Sequence, residues 1–262
     1  MIKLPYVEQG DATGVPVVML HGVTDSWRSF QPVLPHLPDD IRAIAVTLRG
    51  HGDAPKPASG YLIEDLAGDV VGLLDELEVE RAILVGHSMG SWVARQIAID
   101  HPDRVLGLVL AGAFQGSLVG DPEVGAAMKE LADVPDPVPD EVAREFQLST
   151  LAGPIAPELL DTFVAESLKL PAEAWRELFL GFAELDQPDG AEELPMPALL
   201  AWGERDAFIP RDVQDELLET LPDARLEVYE GVGHALHWEE PERFAGDVAA
   251  FSRYSAGLQL SR

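Results

Sequence analysis

The sequence predicts an α/β domain: a mostly parallel sheet with helices on both faces and a helical insertion between two of its strands. Three observations carry that prediction. Short β-branched-rich runs, apolar at consecutive positions and bounded by turn residues, occur at 15–20, 41–48 and 82–85. That is the pattern of strands covered on both faces. Amphipathic helical patterns lie between such runs, as at 63–77, where Leu66, Val70, Leu73, Leu74 and Leu77 share one face. One long segment, from about Gln115 to Glu193, breaks the rhythm and shows no strand pattern.

The remaining elements follow from the same rules. Strands are predicted at 105–111, 198–202 and 225–229, and helices at 92–99, 213–221 and 241–251. Alternation of strand and helix makes the sheet mostly parallel, with helices on both sides. Within the strandless segment, Asp133-Val134-Pro135-Asp136-Pro137-Val138-Pro139 predicts a stiff, extended connector, because each residue before a proline is biased away from helix. Residues 172–184, with Trp175, Leu178, Phe179 and Phe182, predict an amphipathic helix. The chain thus divides into a core of residues 1–114 and 194–262 and a helical cap of residues 115–193. Such a cap is expected over the C-terminal edge of the strands, where ligands bind in folds of this kind.

Composition narrows the function classes. The 262 residues are 47% apolar, enough for a substantial core. Eighteen basic residues against 46 acidic ones give a net charge of -28. A surface so negative repels nucleic-acid phosphates and anionic membranes, so neither is an expected partner. The acids are spread along the chain rather than gathered in a tail, which reads as a solubility or salt-adaptation trait. Cysteine is absent, which excludes disulfides, thiolate metal sites and cysteine nucleophiles. The N-terminus carries Lys3, Pro5 and Glu8 with no signal-peptide run, and no stretch approaches the roughly 20 apolar residues of a membrane span. A cytoplasmic protein is expected.

Gly86-His87-Ser88-Met89-Gly90 fits G-x-S-x-G directly after an apolar strand and directly before a helix. A serine on so tight a turn has strained backbone angles, and small neighbours keep side chains from colliding there. The turn lifts the hydroxyl into a cleft, backed by the N–H groups and positive dipole end of the helix. A serine hydroxyl attacks only when a base takes its proton. His234, in the glycine-rich loop Glu230-Gly231-Val232-Gly233-His234-Ala235 after the last strand, projects from the same sheet edge, and His237 is its nearest competitor. The histidine needs a carboxylate to fix its tautomer. Asp206, in Trp202-Gly203-Glu204-Arg205-Asp206 just past a strand, supplies one, with Glu204 as the rival. His234 and His237 lack a third histidine nearby and sit on no H-E-x-x-H helix, so they are not expected to bind a metal; no cofactor is expected either.

With these residues in hand, residues 6–251 resemble the α/β-hydrolase superfamily, in particular its compact capped bacterial esterases and lactonases. The order Ser88, Asp206, His234 is that of the superfamily. His21-Gly22-Val23 is similar to the loop that completes the family's oxyanion hole, which implies the backbone N–H groups of Val23 and Met89 as donors. Arg49-Gly50-His51-Gly52 is similar to the family's Arg-Gly-x-Gly turn, and Glu239-Glu240-Pro241 to the start of its final helix. Two departures lie near that turn: Thr47 stands where many relatives have aspartate, and Ala54 where they have serine. Haloalkane dehalogenases and epoxide hydrolases carry aspartate at the position of Ser88, so the resemblance implies a serine hydrolase instead.

The expected reaction is hydrolysis of a carboxylic ester or lactone through an acyl-enzyme. A cofactor-free carbon–carbon bond hydrolase or a perhydrolase would share the same groups, and a ligand receptor that lost turnover is the alternative from another class. The insertion offers Phe146, Leu148, Leu151, Ile155, Phe163, Trp175, Leu178, Phe179 and Phe182. Trp27, Trp175 and Phe179 are the candidate walls of a mostly apolar pocket for a small, uncharged substrate. Should an anionic substrate bind, Arg95 or Arg176 would be the first partners to test.

Overall fold

The computed structural model describes residues 2–115, 122–184 and 190–260. Seven strands form one sheet: β1 (Tyr6–Gln9), β2 (Val15–Leu20), β3 (Ile41–Val46), β4 (Ala82–His87), β5 (Val105–Ala111), β6 (Ala198–Gly203) and β7 (Ala224–Tyr229). Their order is β1-β3-β2-β4-β5-β6-β7. Every pairing is parallel except β1 with β3, which is antiparallel.

Both faces of the sheet are buried, and residue parity divides them. Val18, Leu20, Ile44, Leu84, Leu108, Leu110 and Leu200 face one cluster with α1 (Ile63–Glu76) and α2 (Met89–Asp100). Val17, Met19, Ala43, Ile83, Val85, Val109 and Leu199 face the other, with Phe30 and with Phe244, Val248 and Phe251 of the C-terminal helix (Pro241–Leu260). Burial of alternate residues on opposite sides explains why these strands read as continuous apolar runs.

Between β5 and β6 the chain forms α3 (Pro122–Ala132), α4 (Asp140–Ser149), α5 (Pro157–Ser167) and α6 (Ala172–Glu184). Here α3 packs on α6, and α4 on α5. Residues 116–121 and 185–189 of the expected insertion lie outside the described residues. After β6 come α7 (Arg211–Thr220), the short α8 (Leu236–Glu239) and the C-terminal helix, α9. No helix among the described residues is long and apolar enough to cross a membrane.

The parallel strands all point their C-terminal ends to one edge. The segments leaving β2, β4, β5, β6 and β7 there contain Gly22-Val23, Ser88, Gly112, Asp206 and His234.

Candidate active site

Strand β4 is buried along its whole length and turns into α2 so abruptly that Ser88 takes φ 50° and ψ -117°. Such angles in a residue with a side chain cost about 1–3 kcal/mol and persist only where the surroundings enforce them. The enforcement is visible. The Ser88 N–H donates to the Ala111 carbonyl at 2.9 Å, and the Ser88 carbonyl accepts from the Ser91 N–H at 2.8 Å. The Ser91 hydroxyl donates to the same carbonyl at 2.6 Å. A Cβ on Gly86 would collide with the Gly90 carbonyl, and one on Gly90 with the Leu20 carbonyl, so both flanking positions must be glycine. Met89 begins α2, where a backbone N–H has no partner within the helix.

Asp206 is held from both sides. Its Oδ1 accepts from the N–H groups of Phe208 and Ile209, each at 2.9 Å. Its Oδ2 accepts from His234 Nδ1 at 2.7 Å. With Nδ1 donating to the carboxylate, neutral His234 keeps Nε2 as its acceptor. The aspartate side chain is fully buried and that of His234 is 6% exposed.

Close glycine contacts seat the imidazole. Gly112, just past β5, has φ +53°, and a Cβ there would lie 2.8 Å from His234 Cε1. A Cβ on Gly233 would lie 2.6 Å from the Ala152 nitrogen, and the Ala235 N–H donates to the Thr150 carbonyl at 3.0 Å. The histidine loop is therefore packed directly on the segment that follows α4.

The two rivals sit elsewhere. Glu204 accepts from the Gly231 N–H at the exposed rim of the loop, 2.9 Å away. His237 is fully buried against Phe30, His87 and Phe244, with its Nε2 2.9 Å from the Ser29 hydroxyl. Burial depresses its pKa to about 3. His87 is likewise buried and held well below the usual histidine range, and its Nε2 donates to the His234 carbonyl at 3.1 Å.

One cavity is lined by both Ser88 and His234, with Gly22 and Val23 at its wall. Its apolar lining includes Phe114, Phe146, Phe179, Phe182, Phe208 and Trp238, and its polar lining Asp25, His87, Gln147 and Thr150. No lysine or arginine is among the described lining residues. Of the three aromatic walls expected from sequence, Phe179 lines the cavity. Trp175 lies behind it, buried against Phe146 and Phe179, and Trp27 is partly buried in the cluster on the opposite sheet face, with Arg28 stacked over its ring. Large aromatics serve packing as readily as lining, and helical periodicity does not separate the two roles. Arg95 also stays outside the lining: it is buried beneath Trp92 and donates to the Phe114 carbonyl.

Sequence reasoning missed Asp25, Gln147 and Phe208. The only signal for Asp25 was its place two residues after the Gly22-Val23 loop. It is 4% exposed, and burial raises its pKa to about 7 against the opposing hydrogen bonds from Gln147 and Ser29. Among the described residues no group of three or more histidines and carboxylates is arranged to hold a metal ion.

Known proteins share this architecture. Residues 15–241 match the family model for the alpha/beta hydrolase fold. The chain is 32% identical to 2-hydroxymuconate semialdehyde hydrolase of Pseudomonas sp. (strain CF600), over 91% of this chain and 87% of that one. It is 30% identical to a non-heme chloroperoxidase of Streptomyces lividans, covering 94% of each. An esterase from Exiguobacterium antarcticum superposes with a TM-score of 0.85 at 25% identity, covering 96% of each chain. By the family match over most of its length and by its sheet order, the chain belongs to the α/β-hydrolase family.

Proposed function

We propose that this protein is a serine hydrolase that cleaves a small, uncharged carboxylic ester or lactone through an acyl-enzyme. The observation that carries the proposal is the shared cavity. Ser88, on a strained turn, and His234, with Nδ1 committed to Asp206, open into the same space. His234 Nε2 takes the Ser88 proton as Oγ attacks the carbonyl carbon. The oxyanion forms against the N–H groups of Val23 and Met89, and protonated His234 returns its proton to the leaving oxygen. Water, activated by the same nitrogen, then releases the acid. The helices between β5 and β6 act as the cap, supplying Phe146 and Phe179 to the pocket.

The apolar lining, with no cation among its described residues, supports an uncharged substrate, because a buried anion would find no counter-charge. A fluorophosphonate probe is expected to label Ser88. A panel of esters and lactones should show turnover of neutral substrates and slower turnover of matched carboxylate-bearing ones. No adduct on Ser88, or a preference for the anionic members, overturns the reading. The likeness to 2-hydroxymuconate semialdehyde hydrolase favours one second reading, a carbon–carbon bond hydrolase using the same three residues. Probe labelling without turnover of any ester or lactone would favour it.

The role assigned to Asp206 has its own test. Asp206→Asn keeps the size of the side chain but can hold the wrong imidazole tautomer, so kcat should fall by about 10³–10⁴-fold. Glu204→Gln, at the exposed rim, should stay near wild type. The reverse pattern in steady-state kinetics would move the orienting role to Glu204.

A further inference from the structure

Among the described residues, Asp25 is the one carboxyl group that lines the cavity. Its supports are neutral: Oδ1 accepts from Gln147 Nε2 at 2.9 Å and Oδ2 from the Ser29 hydroxyl at 3.1 Å. No ion pair to Asp25 is formed among the described residues. A carboxylate offers about four acceptor positions, so two of them remain.

The supports are themselves fixed. Gln147 Nε2 also donates to the Ser167 hydroxyl at 2.7 Å, and Ser29 Oγ accepts from Trp238 Nε1 at 3.1 Å. Gln147 Nε2 also lies 3.3 Å from the Thr24 hydroxyl, so the amide is tied to Asp25, Ser167 and Thr24 together and holds the carboxylate in place. The preceding residue, Thr24, is β-branched and yet has φ 69°, and its hydroxyl lies 3.1 Å from that of Ser167. A β-branched residue in the left-handed region is a costly placement. Here it accompanies the inward turn of Asp25.

A buried carboxyl without a cation is expensive, and an apolar side chain would close this wall at lower cost. The neighbourhood says what the group is for. A Cβ placed on Gly22 would lie 3.3 Å from Asp25 Oδ2, so the carboxyl stands beside the loop that contributes Val23. A substrate group reaching it sits close to the reacting carbonyl, and once the carboxyl is ionised that group has to be a hydrogen-bond donor.

We propose that Asp25, oriented by Gln147 and Ser29, is a specificity-determining residue that accepts a hydrogen bond from a hydroxyl carried near the reacting carbonyl, as on the acyl chain of a 3-hydroxy ester. The preferred substrates are then hydroxyacyl esters or hydroxylated lactones. This rests on the ester-hydrolase reading for its turnover but not for its binding. An ammonium group in the same place would enter an otherwise apolar cavity with a larger desolvation cost, which favours the hydroxyl.

The test compares p-nitrophenyl butyrate with p-nitrophenyl 3-hydroxybutyrate, and the unreactive butanamide with 3-hydroxybutanamide, by kinetics and calorimetry. At pH 8.5, where Asp25 with its pKa of about 7 is ionised, wild type should favour the hydroxylated partner of each pair by about tenfold or more, the gain expected of a hydrogen bond to a charged group. Asp25→Leu should abolish or reverse both preferences, and Asp25→Asn should lose most of each. Ratios within one variant cancel a general loss of activity or folded fraction, so a purely structural role for Asp25 would leave them unchanged. Equal binding of the two amides by wild type overturns the subsite, whether or not the variants fold, and so does a stronger gain for 3-aminobutyrate esters than for hydroxylated ones. Amide discrimination without turnover of either ester would instead overturn the reaction assigned to Ser88 and leave the subsite standing.

Discussion

Ser88→Ala is expected to lower kcat for ester hydrolysis by at least about a thousandfold while the protein stays folded and still binds substrate. On the proposed mechanism, what remains after the hydroxyl is lost is binding and oxyanion stabilisation, with no atom to form the acyl-enzyme. The turn adds a second, independent expectation. Ser88 has φ 50°, a conformation that alanine strains as much as serine does and that glycine adopts freely. Ser88→Gly should therefore be as inactive as Ser88→Ala but melt higher. For a chain of this size each kcal/mol corresponds to about 2–4 °C. The measurements are single-turnover kinetics and thermal unfolding on the same three proteins. Near wild-type turnover by clean Ser88→Ala would show that another group attacks. Equal melting of the alanine and glycine variants would show that the turn stores no strain at this residue.

The strand-to-helix turn was legible because its requirements are local. An apolar strand, two small residues and a serine are a pattern that backbone geometry itself demands, and Gly86 and Gly90 stand where a Cβ would meet carbonyl groups. The parallel strands were legible for a related reason, since burial on both faces writes unbroken apolar runs. β1 was not: Tyr6–Gln9 is a four-residue edge strand, half-buried at best, with no apolar run to mark it. The first turn of α2 was also hidden, because Gly90 and Ser91 are weak helix formers and only the surrounding packing holds them helical. The C-terminal helix outran its expected end at 251, continuing to Leu260. Ser252 and Ser255 look like surface residues in sequence, yet both are fully buried, and a Cβ on Gly107 of β5 would lie 2.9 Å from the Ser255 hydroxyl.

The polar wall of the cavity was illegible for a different reason. Asp25 and Gln147 lie 122 positions apart, and a single aspartate or glutamine in a 28-negative chain looks solvated. Only the folding of α4 against the loop after β2 brings them together. The same holds for Trp175 against Phe179, one turn apart on α6, of which one packs and the other lines.

Acid should unfold this protein between about pH 6 and pH 4, and the cause is four histidines buried in the neutral form. His21 donates from Nδ1 to the Gly22 carbonyl at 2.7 Å and accepts the Leu48 N–H on Nε2 at 3.0 Å, so protonating it breaks a backbone hydrogen bond. His51, His87 and His237 are also buried. Burial depresses the pKa of His51 to about 4 and of His237 to about 3, and holds His21 and His87 well below the ordinary value. In the unfolded chain all four titrate near about 6.5. Their contribution to stability is thus fully present above that pH and is lost as pH falls toward the folded-state values, because the unfolded chain then binds the extra protons. Each costs about 1.4 kcal/mol per pH unit, so four cost about 5 to 6. Asp25 opposes them. Its folded pKa of about 7 lies above the unfolded value of 3.8, so between those values the folded state holds one more proton and offsets one of the four. The net loss of about 4 kcal/mol per pH unit would consume an ordinary domain stability of about 5–15 kcal/mol within a few pH units. Urea unfolding from pH 8 to 4.5 in high salt, which screens the acidic surface but not the buried rings, reads this slope directly. His51→Asn should flatten it by about one proton's worth, and Asp25→Asn should steepen it by the same amount. Stability that stays constant from pH 7 to 5 would mean that these rings take up protons inside the folded protein.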